Sequence, residues 1–246
     1  MLQFPRAGKL DSERPRCLTR GMKAQLAIYD MDRTVTRRAT YTPFLVHAAL
    51  SLAPWRLVLF PFVLLAMAAY LLKLVDRGRL KEINYALLVG RGVTAARLEP
   101  VIERFADKQL ASNIMPGALA AIAADRAAGR RLVMATASYR FYAAAIARKL
   151  GFDDVVATET SLDTEGRVVA RIDGANCYGA AKKDMILAWL EREGLEREAV
   201  HIRFYSDHVS DHHVHRWADE PVAANAHARL VKLARAEGWE VVDWRR

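Results

Sequence analysis

Short apolar runs alternate with amphipathic stretches along most of the chain. Apolar runs with the length of buried strands lie at 25–30, 131–136, 154–158, 200–206, 221–224 and 239–243. Helical spacing of apolar residues is found between them, near 116–129, 139–151, 180–194 and 226–238. This alternation predicts an α/β fold, a doubly wound Rossmann-like parallel sheet with helices on both faces. The segment 161–172, with Thr164-Glu165-Gly166 at its tip, predicts a β-hairpin.

Residues 37–113 break the alternation, because they contain no clear strand pattern. Leu98, Val101, Ile102 and Phe105 mark one amphipathic helix, and an uninterrupted apolar run covers 57–72. We therefore predict an all-helical cap inserted after the first strand at 37–113, strongly apolar at 57–75. The α/β core is expected at 23–36 and 114–246.

Composition narrows the class of protein without choosing a function. The chain has 246 residues, 52% of them hydrophobic, which is enough for one α/β domain with a sizeable insertion or for two small domains. The net charge of +9 favours anionic partners such as phosphates or anionic lipid headgroups. Because the positive residues are spread along the chain and form no recognised binding motif, we do not expect nucleic acid as a partner. The two distant cysteines indicate a reducing compartment, so we expect a cytoplasmic protein.

The first 22 residues are basic and have no apolar core, which excludes a secretory signal in this stretch. We interpret residues 1–22 as a disordered lead-in, and Met22 as an alternative start of the working protein.

Candidate chemistry begins where the first strand should end, at Asp30-Met31-Asp32-Arg33-Thr34. Two carboxylates one residue apart, followed by a hydroxyl, can supply a nucleophile, a metal ligand and an acid. Thr136 is expected to end a second strand, and Asp207 and Asp211 follow another. The carboxyl ends of strands in a doubly wound sheet meet in one crevice, so these residues are expected to share a site. Lys182 or Lys183, at the start of a helix, would add a cation for phosphate oxygens.

These motifs resemble those of the haloacid dehalogenase-like hydrolases, specifically subfamily IB, the phosphoserine-phosphatase-like branch with a helical cap. The resemblance covers roughly residues 24–243. Its four motifs are present in order, as Asp30-Met31-Asp32-Arg33-Thr34, Ala135-Thr136-Ala137-Ser138, Cys177-Tyr178-Gly179-Ala180-Ala181-Lys182 and Ser206-Asp207-His208-Val209-Ser210-Asp211. The third motif favours Lys182 over Lys183.

The resemblance implies a Mg²⁺-dependent phosphomonoester hydrolase. Asp30 would attack phosphorus to give an aspartyl-phosphate, and Asp32 would protonate the leaving oxygen and later activate water. Mg²⁺ would be held by Asp30, the backbone carbonyl of Asp32, and Asp207. The remaining site residues implied are Thr136 and Lys182 for phosphate oxygens, with Thr34 and Asp211 in support.

Two features of these motifs have alternative interpretations. Arg33 stands where many relatives have glycine, and its side chain would reach an anionic substrate or simply point to solvent. His208, His212, His213 and His215 would form a zinc cluster or lie on the surface of a helix that starts near Asp211.

The apolar run at 57–72 bears on the partner and the substrate. Asp30 precedes this run, whereas Thr136 and Asp207 follow it, so a single membrane crossing would separate residues that must meet. We expect either a buried cap helix, or a peripheral or re-entrant contact of 43–53 and 57–75 with the anionic inner face of a membrane. The expected substrate is a phosphoserine-like small phosphate or a phospholipid phosphate such as phosphatidylglycerophosphate. The alternative function is a catalytically silent adaptor at the membrane surface.

Overall fold

A mostly parallel eight-stranded sheet forms the centre of the computed structural model, which describes residues 23–245. The strands are, in chain order, β1 (Ala24–Tyr29), β2 (Val93–Thr94), β3 (Arg131–Tyr139), β4 (Asp154–Leu162), β5 (Arg167–Asp173), β6 (Val200–Ser206), β7 (Glu220–Ala224) and β8 (Glu240–Val242). Their order across the sheet is β2-β5-β4-β3-β1-β6-β7-β8. Strand β1 pairs in parallel with both β3 and β6, so it lies at the point where the winding reverses. The lead-in interpretation of 1–22 lies outside the described residues.

Helices occupy most of the sequence between the strands. They are α1 (Tyr41–Leu52), α2 (Phe60–Leu71), α3 (Arg77–Leu88), α4 (Ala95–Ser112), α5 (Pro116–Ala127), α6 (Arg140–Lys149), α7 (Ala180–Arg192), α8 (His212–His215) and α9 (Ala228–Glu237). The prediction of a doubly wound α/β fold is confirmed. Strands β4 and β5 form the predicted antiparallel hairpin, and both extend beyond the predicted segment.

Side chains of the central strands alternate between two apolar layers, as the period of a strand requires. In β1, Ala27 and Tyr29 pack with α5 and α6, whereas Leu26 and Ile28 pack with α7 and α8. All four are essentially inaccessible to water. Burial on both faces explains why this strand is an uninterrupted apolar run in the sequence rather than an alternating one.

The insert predicted at 37–113 contains four α-helices, α1 to α4, together with the two-residue strand β2. This strand pairs antiparallel with β5, Val93 opposite Val168 and Thr94 opposite Arg167. The all-helical description of the insert therefore has to be corrected by one short strand. Two residues are too few to show the alternating pattern of a strand. Thr94 is also the N-cap of α4, and its hydroxyl accepts a hydrogen bond from the backbone N–H of Arg97.

The apolar run lies mostly on the surface of the insert. Within residues 23–245, one helical segment, Pro54–Leu71, is long and apolar enough to cross a membrane, with a mean hydropathy of 1.7. Only 11% of this segment is buried. Val63 and Ala66 face the protein, and most other side chains of α2 are exposed. The expectation of a buried cap helix is wrong, because one helical face alone packs against the rest of the insert.

A buried carboxylate joins α5 to the two central strands. Asp125 accepts hydrogen bonds from the hydroxyls of Tyr29 at 2.5 Å and Tyr205 at 2.9 Å. The Nε of Arg130 lies 3.4 Å from its other oxygen. Because Tyr29 and Tyr205 stack with ring centroids 4.2 Å apart, the two strands and the helix share one polar anchor within an apolar layer.

We expect Asp125→Ala to lower the free energy of unfolding by about 2–4 kcal/mol, because it leaves two buried hydroxyls without an acceptor. Tyr29→Phe is the matched control and should cost about 1 kcal/mol, since Asp125 keeps Tyr205 as a donor. Urea denaturation followed by circular dichroism measures both values. Equal losses in the two variants would show that Asp125 is not the anchor.

Candidate active site

Three of the predicted site residues lie near the carboxyl ends of neighbouring strands. Tyr29, the last residue of β1, lies opposite Met134 of β3 and Tyr205 of β6. The residues just beyond these partners are Asp30, Thr136 and Asp207, and all three are buried. The backbone N–H of Asp30 donates to the carbonyl oxygen of Tyr205 at 2.9 Å. The sheet register therefore brings together residues that are more than 170 positions apart in sequence.

A tight turn after β1 connects the first of these residues to the others. The hydroxyl of Thr34 donates to Oδ2 of Asp30 at 3.2 Å and accepts the backbone N–H of Asp207 at 3.0 Å. Arg33, within the turn, has a left-handed backbone with φ of +64°, which costs a non-glycine residue about 1–2 kcal/mol. Its side chain is exposed. Asn225 donates to the carbonyl oxygen of Thr34 at 3.0 Å and so holds the turn against the end of β7.

A single ammonium group joins two of the carboxylates. Lys182 is buried in the first turn of α7, and its Nζ donates to Oδ1 of Asp30 at 2.7 Å and to Oδ2 of Asp211 at 2.6 Å. The helix begins after Gly179, whose φ of +62° favours glycine. Ser206, the last residue of β6, donates to the same Oδ2 of Asp211 at 2.7 Å. The other oxygen of Asp211 is buried and has no hydrogen-bond partner among the described residues.

The electrostatics of this group are dominated by an excess of negative charge. Burial raises the pKa of Asp30 to about 6, although the charge of Lys182 opposes this shift. Burial and the charges of Asp30 and Asp211 raise the pKa of Asp207 to about 8. Burial would lower the pKa of Lys182, but the two carboxylates beside it raise that pKa above its ordinary value. Three carboxylates therefore share one ammonium group.

This donor set fits a hard divalent cation, because a second positive charge would relieve the repulsion between the buried carboxylates. No three His, Cys, Asp or Glu side chains within residues 23–245 are arranged as a metal site. Asp30 and Asp207 would therefore need further oxygen ligands, such as the backbone carbonyl of Asp32 and oxygens of water or substrate. The histidine segment does not supply such a set.

The histidines after Asp207 have different environments. His213 is exposed, and His208 and His212 are half-buried. His215 is fully buried, stacks on Trp239 with ring centroids 5.0 Å apart, and bonds to the carbonyl oxygens of Asp211 and Val222 at 3.2 Å. The interpretation of all four as surface residues is thus wrong for His215, which is part of the packing between β6, β7 and the chain before β8.

The carboxylate of Asp32 contacts both the insert and the end of β3. Its Oδ1 accepts the backbone N–H and the hydroxyl of Thr40, each at 2.8 Å, and its Oδ2 accepts the hydroxyl of Ser138 at 3.0 Å. Thr40 immediately precedes α1, and Ser138 lies near the end of β3. The second carboxylate of the motif is therefore oriented jointly by the core and by the first residue before the insert's helices.

Thr136 is buried in β3, where its hydroxyl oxygen accepts the backbone N–H of Ser138 at 3.1 Å. This contact leaves the hydroxyl hydrogen available to donate. The strand pairing is irregular between Thr136 and Tyr139, so the polar edge of β3 departs from regular strand geometry.

Several residues at the site were not singled out from the sequence. Asn225 is one of them, and Ser206, the first residue of the fourth motif, carries no predicted role. A third is His227, whose Nε2 lies 3.2 Å from Oδ2 of Asp207. Asn225 and His227 lie in the loop between β7 and α9, which has no periodic pattern, so the sequence alone gives no signal for them.

A fourth residue missed by the sequence analysis is Lys81 of α3. Its Nζ donates to the carbonyl oxygen of Ala137 at 2.6 Å and to Oδ1 of Asn176 at 3.1 Å. Thr158 donates to the same carbonyl oxygen at 2.8 Å. Ala137 follows Thr136, and Asn176 precedes the loop to Lys182. The insert is therefore tied to the two segments that carry the predicted phosphate-binding residues.

Lys81 should make stability depend on pH. Burial, together with the charge of Arg77, lowers the pKa of Lys81 from 10.5 to about 7. Between these values the unfolded chain binds more protons than the folded chain, so this residue makes the free energy of unfolding rise with pH from about 7 to about 10.

Thermal unfolding at pH 7 and pH 9 should show a smaller rise in stability for Lys81→Met than for the wild type. Lys183→Met, half-buried on α7, is the control. A slope unchanged in Lys81→Met would contradict the assignment.

Comparisons with known proteins agree with this geometry. A family model described as haloacid dehalogenase-like hydrolase matches residues 27–216. Protein CicA of Caulobacter vibrioides is 29% identical over 177 residues, which are 70% of this chain and 76% of CicA. Phosphoserine phosphatase SerB1 of Mycobacterium tuberculosis is 32% identical over 171 residues, which are 70% of this chain and 53% of that protein. The crystal structure of a protein of unknown function from Bordetella pertussis Tohama I has a TM-score of 0.81 at 25% identity, covering 91% of this chain and 100% of the other.

Proposed function

From the premise that this chain belongs to the haloacid dehalogenase-like hydrolases, as a phosphoserine-phosphatase-like member, we propose a Mg²⁺-dependent phosphomonoester hydrolase that acts through an aspartyl-phosphate. The observation that carries the proposal is the buried carboxylate of Asp30, held by Lys182 and Thr34 beside two further carboxylates. The enzyme class predicted from the sequence, a phosphatase, is confirmed by the family and by its phosphatase relative.

The proposed reaction has two displacements at phosphorus. In the first, a carboxylate oxygen of Asp30 forms a bond to phosphorus while the bond to the ester oxygen breaks, and Asp32 gives that leaving oxygen a proton. In the second, the Asp32 carboxylate takes a proton from water, whose oxygen attacks phosphorus and releases phosphate from Asp30. Thr40 and Ser138 support this role, because they fix both oxygens of Asp32 without a permanent ion pair.

Two other residues can stabilise the charge that spreads over the phosphoryl oxygens. The ammonium of Lys182 has three N–H donors, and Asp30 and Asp211 use two of them. The third is free for a phosphoryl oxygen. Thr136 has a hydroxyl hydrogen to donate, since its oxygen accepts from Ser138. Asp211 and Ser206 support the position of the lysine.

Mg²⁺ would be held by the carboxylates of Asp30 and Asp207 and by the backbone carbonyl of Asp32. It would reduce the repulsion between the nucleophile and an anionic substrate. Thr34 supports this assignment, because its hydroxyl joins Asp30 to the backbone of Asp207.

A groove beside the site bears on the substrate. It has a volume of about 510 Å³ and lies between the start of α3 and the loop before α7, with Arg77, Asn176 and Tyr178 in its lining. The guanidinium of Arg77 lies 4.1 Å from the ring centre of Tyr178. The lining also contains Arg79, Asp76 and Glu82, so its charges balance, and the proposed substrate stays either a phosphoserine-like small phosphate or a phospholipid phosphate. A screen of amino-acid, sugar, nucleotide and lipid phosphates separates the two classes.

The alternative, a catalytically silent adaptor, is less well supported. The nucleophile, the acid, the cation and the metal carboxylates are all present, and burying this group of charges is costly in an adaptor that has no use for them.

Asp30→Asn should reduce phosphate release from p-nitrophenyl phosphate by at least about a thousandfold, because an amide cannot attack phosphorus. Asp184→Asn, which removes an exposed carboxylate from α7, should retain wild-type activity. Circular dichroism checks that both variants fold. Substantial activity in Asp30→Asn would remove Asp30 as the nucleophile.

Removing the metal should abolish activity and also lower thermal stability. After treatment with EDTA, Mg²⁺ should restore phosphate release and raise the melting temperature of the wild type, because a ligand that binds the folded state stabilises it. In Asp207→Asn the Mg²⁺-induced rise should be lost, whereas Asp184→Asn should retain it. An equal rise in Asp207→Asn would show that Asp207 is not a metal ligand.

A further inference from the structure

The exposed apolar side chains of this protein are concentrated in one segment. Eleven of the thirteen large hydrophobic side chains that are exposed within residues 23–245 lie between Leu50 and Leu74. They are Leu50, Trp55, Val58, Phe60, Phe62, Leu64, Leu65, Met67, Leu71, Leu72 and Leu74, and we call this set the apolar patch. Monomeric proteins rarely keep so large a cluster in water, so the patch indicates an interaction surface.

The charged residues within the segment that carries the apolar patch all have the same sign. No Asp or Glu occurs between Asp32 and Asp76, a stretch that contains five Arg and Lys residues. Arg56 precedes the uncharged run 57–72 and Lys73 follows it, so a cation flanks each end of this run. A surface that is apolar in its middle and basic at its edges is complementary to acyl chains beneath anionic headgroups.

The geometry of α2 fits a helix that lies flat on a surface. Its 12 residues follow a six-residue 3₁₀ segment, Pro54–Leu59, so the orientation of α2 rather than its length indicates contact with a surface. Val63 and Ala66 on one face are buried against the protein, while Leu64, Leu65 and Leu72 are 59–71% exposed. The segment before it is also fixed, since Arg56 donates to the carbonyl oxygens of Ala86 and Leu87 at 3.1 and 3.0 Å.

A second copy of the chain is a poorer occupant. A symmetric contact through the patch would place Arg56 and Lys73 of both copies at one interface without any acidic partner in the segment, which is unfavourable. In a bilayer with anionic lipids, the headgroups supply the missing negative charge and the acyl chains can pack against apolar side chains of any shape.

We propose that the apolar patch docks on a bilayer that contains anionic lipids, with its leucine, phenylalanine and Trp55 side chains inserted at the boundary between headgroups and acyl chains. Arg56 and Lys73 contact the headgroups. Docking does not depend on catalysis, so it stands or falls separately from the phosphatase proposal. Because the chain runs from Leu74 directly to Arg77 in the groove, the proposed substrate site lies next to the docked surface.

Co-sedimentation of the full chain with vesicles tests this proposal. The wild type should bind phosphatidylcholine vesicles that contain phosphatidylglycerol, and binding should weaken without phosphatidylglycerol and at high salt. The triple change Leu64→Ser, Leu65→Ser, Leu72→Ser should lower the partition coefficient by at least about tenfold, because less apolar area is inserted. Leu119→Ser, at an exposed leucine of α5 outside the patch, is the matched control and should bind like the wild type.

Insertion has its own readout. Brominated phosphatidylglycerol should quench part of the tryptophan fluorescence, and Trp55→Phe should lose that part. Asp30→Asn should bind vesicles like the wild type, which separates docking from activity. Equal binding by the wild type and the triple serine variant would overturn the proposal. A wild type that does not bind anionic vesicles would also overturn the proposal. If sedimentation then showed a dimer of the wild type that the triple variant does not form, the occupant of the patch would be a second copy of the chain.

Discussion

The contact of one ammonium group with two carboxylates is the constraint on which the candidate site depends. Lys182 contacts Asp30, which follows β1, and Asp211, which follows β6, so the ends of two adjacent strands carry like charges that must be neutralised together. Burying three carboxylates without a cation would be very costly. The elements that position Lys182 therefore also determine the geometry of the site. They include the turn at Gly179 before α7 and Ser206 at the end of β6. The parallel pairing of β1 with β6 brings Asp30 and Asp211 to the same ammonium group.

Most of the core and the set of charged site residues could be predicted from the sequence. The central strands are long apolar runs, because helices cover both faces of the sheet, and each run is followed by a polar motif. The parts that could not be predicted lack such a signal. The strand β2 has only two residues, and Asn225 and His227 reach the site from loops. His215 looks like a surface histidine in a polar segment, but Trp239, which is distant in sequence, covers it. The apolar run after Arg56 suggested either burial or membrane contact, and periodicity alone cannot distinguish these environments.

The insert and the core are joined through polar contacts at the place where chemistry is proposed. Thr40, just before α1, orients Asp32, and Lys81 of α3 contacts the backbone beside Thr136. Aromatic packing adds to this connection, since Phe44 of α1 stacks on Tyr142 of α6 with centroids 4.5 Å apart. The position of the insert is thus coupled to the orientation of the proposed acid. The proposed docking surface belongs to the same insert, so the membrane and the site would be linked through the same group of helices.

The burial of the Lys81 amine also links the contact between α3 and the sheet to acidity. Moving α3 away from the sheet would take this amine from two protein oxygens into water, where its pKa returns to the ordinary value and it takes up a proton. Any separation that exposes Lys81 therefore becomes less costly as the medium becomes more acidic.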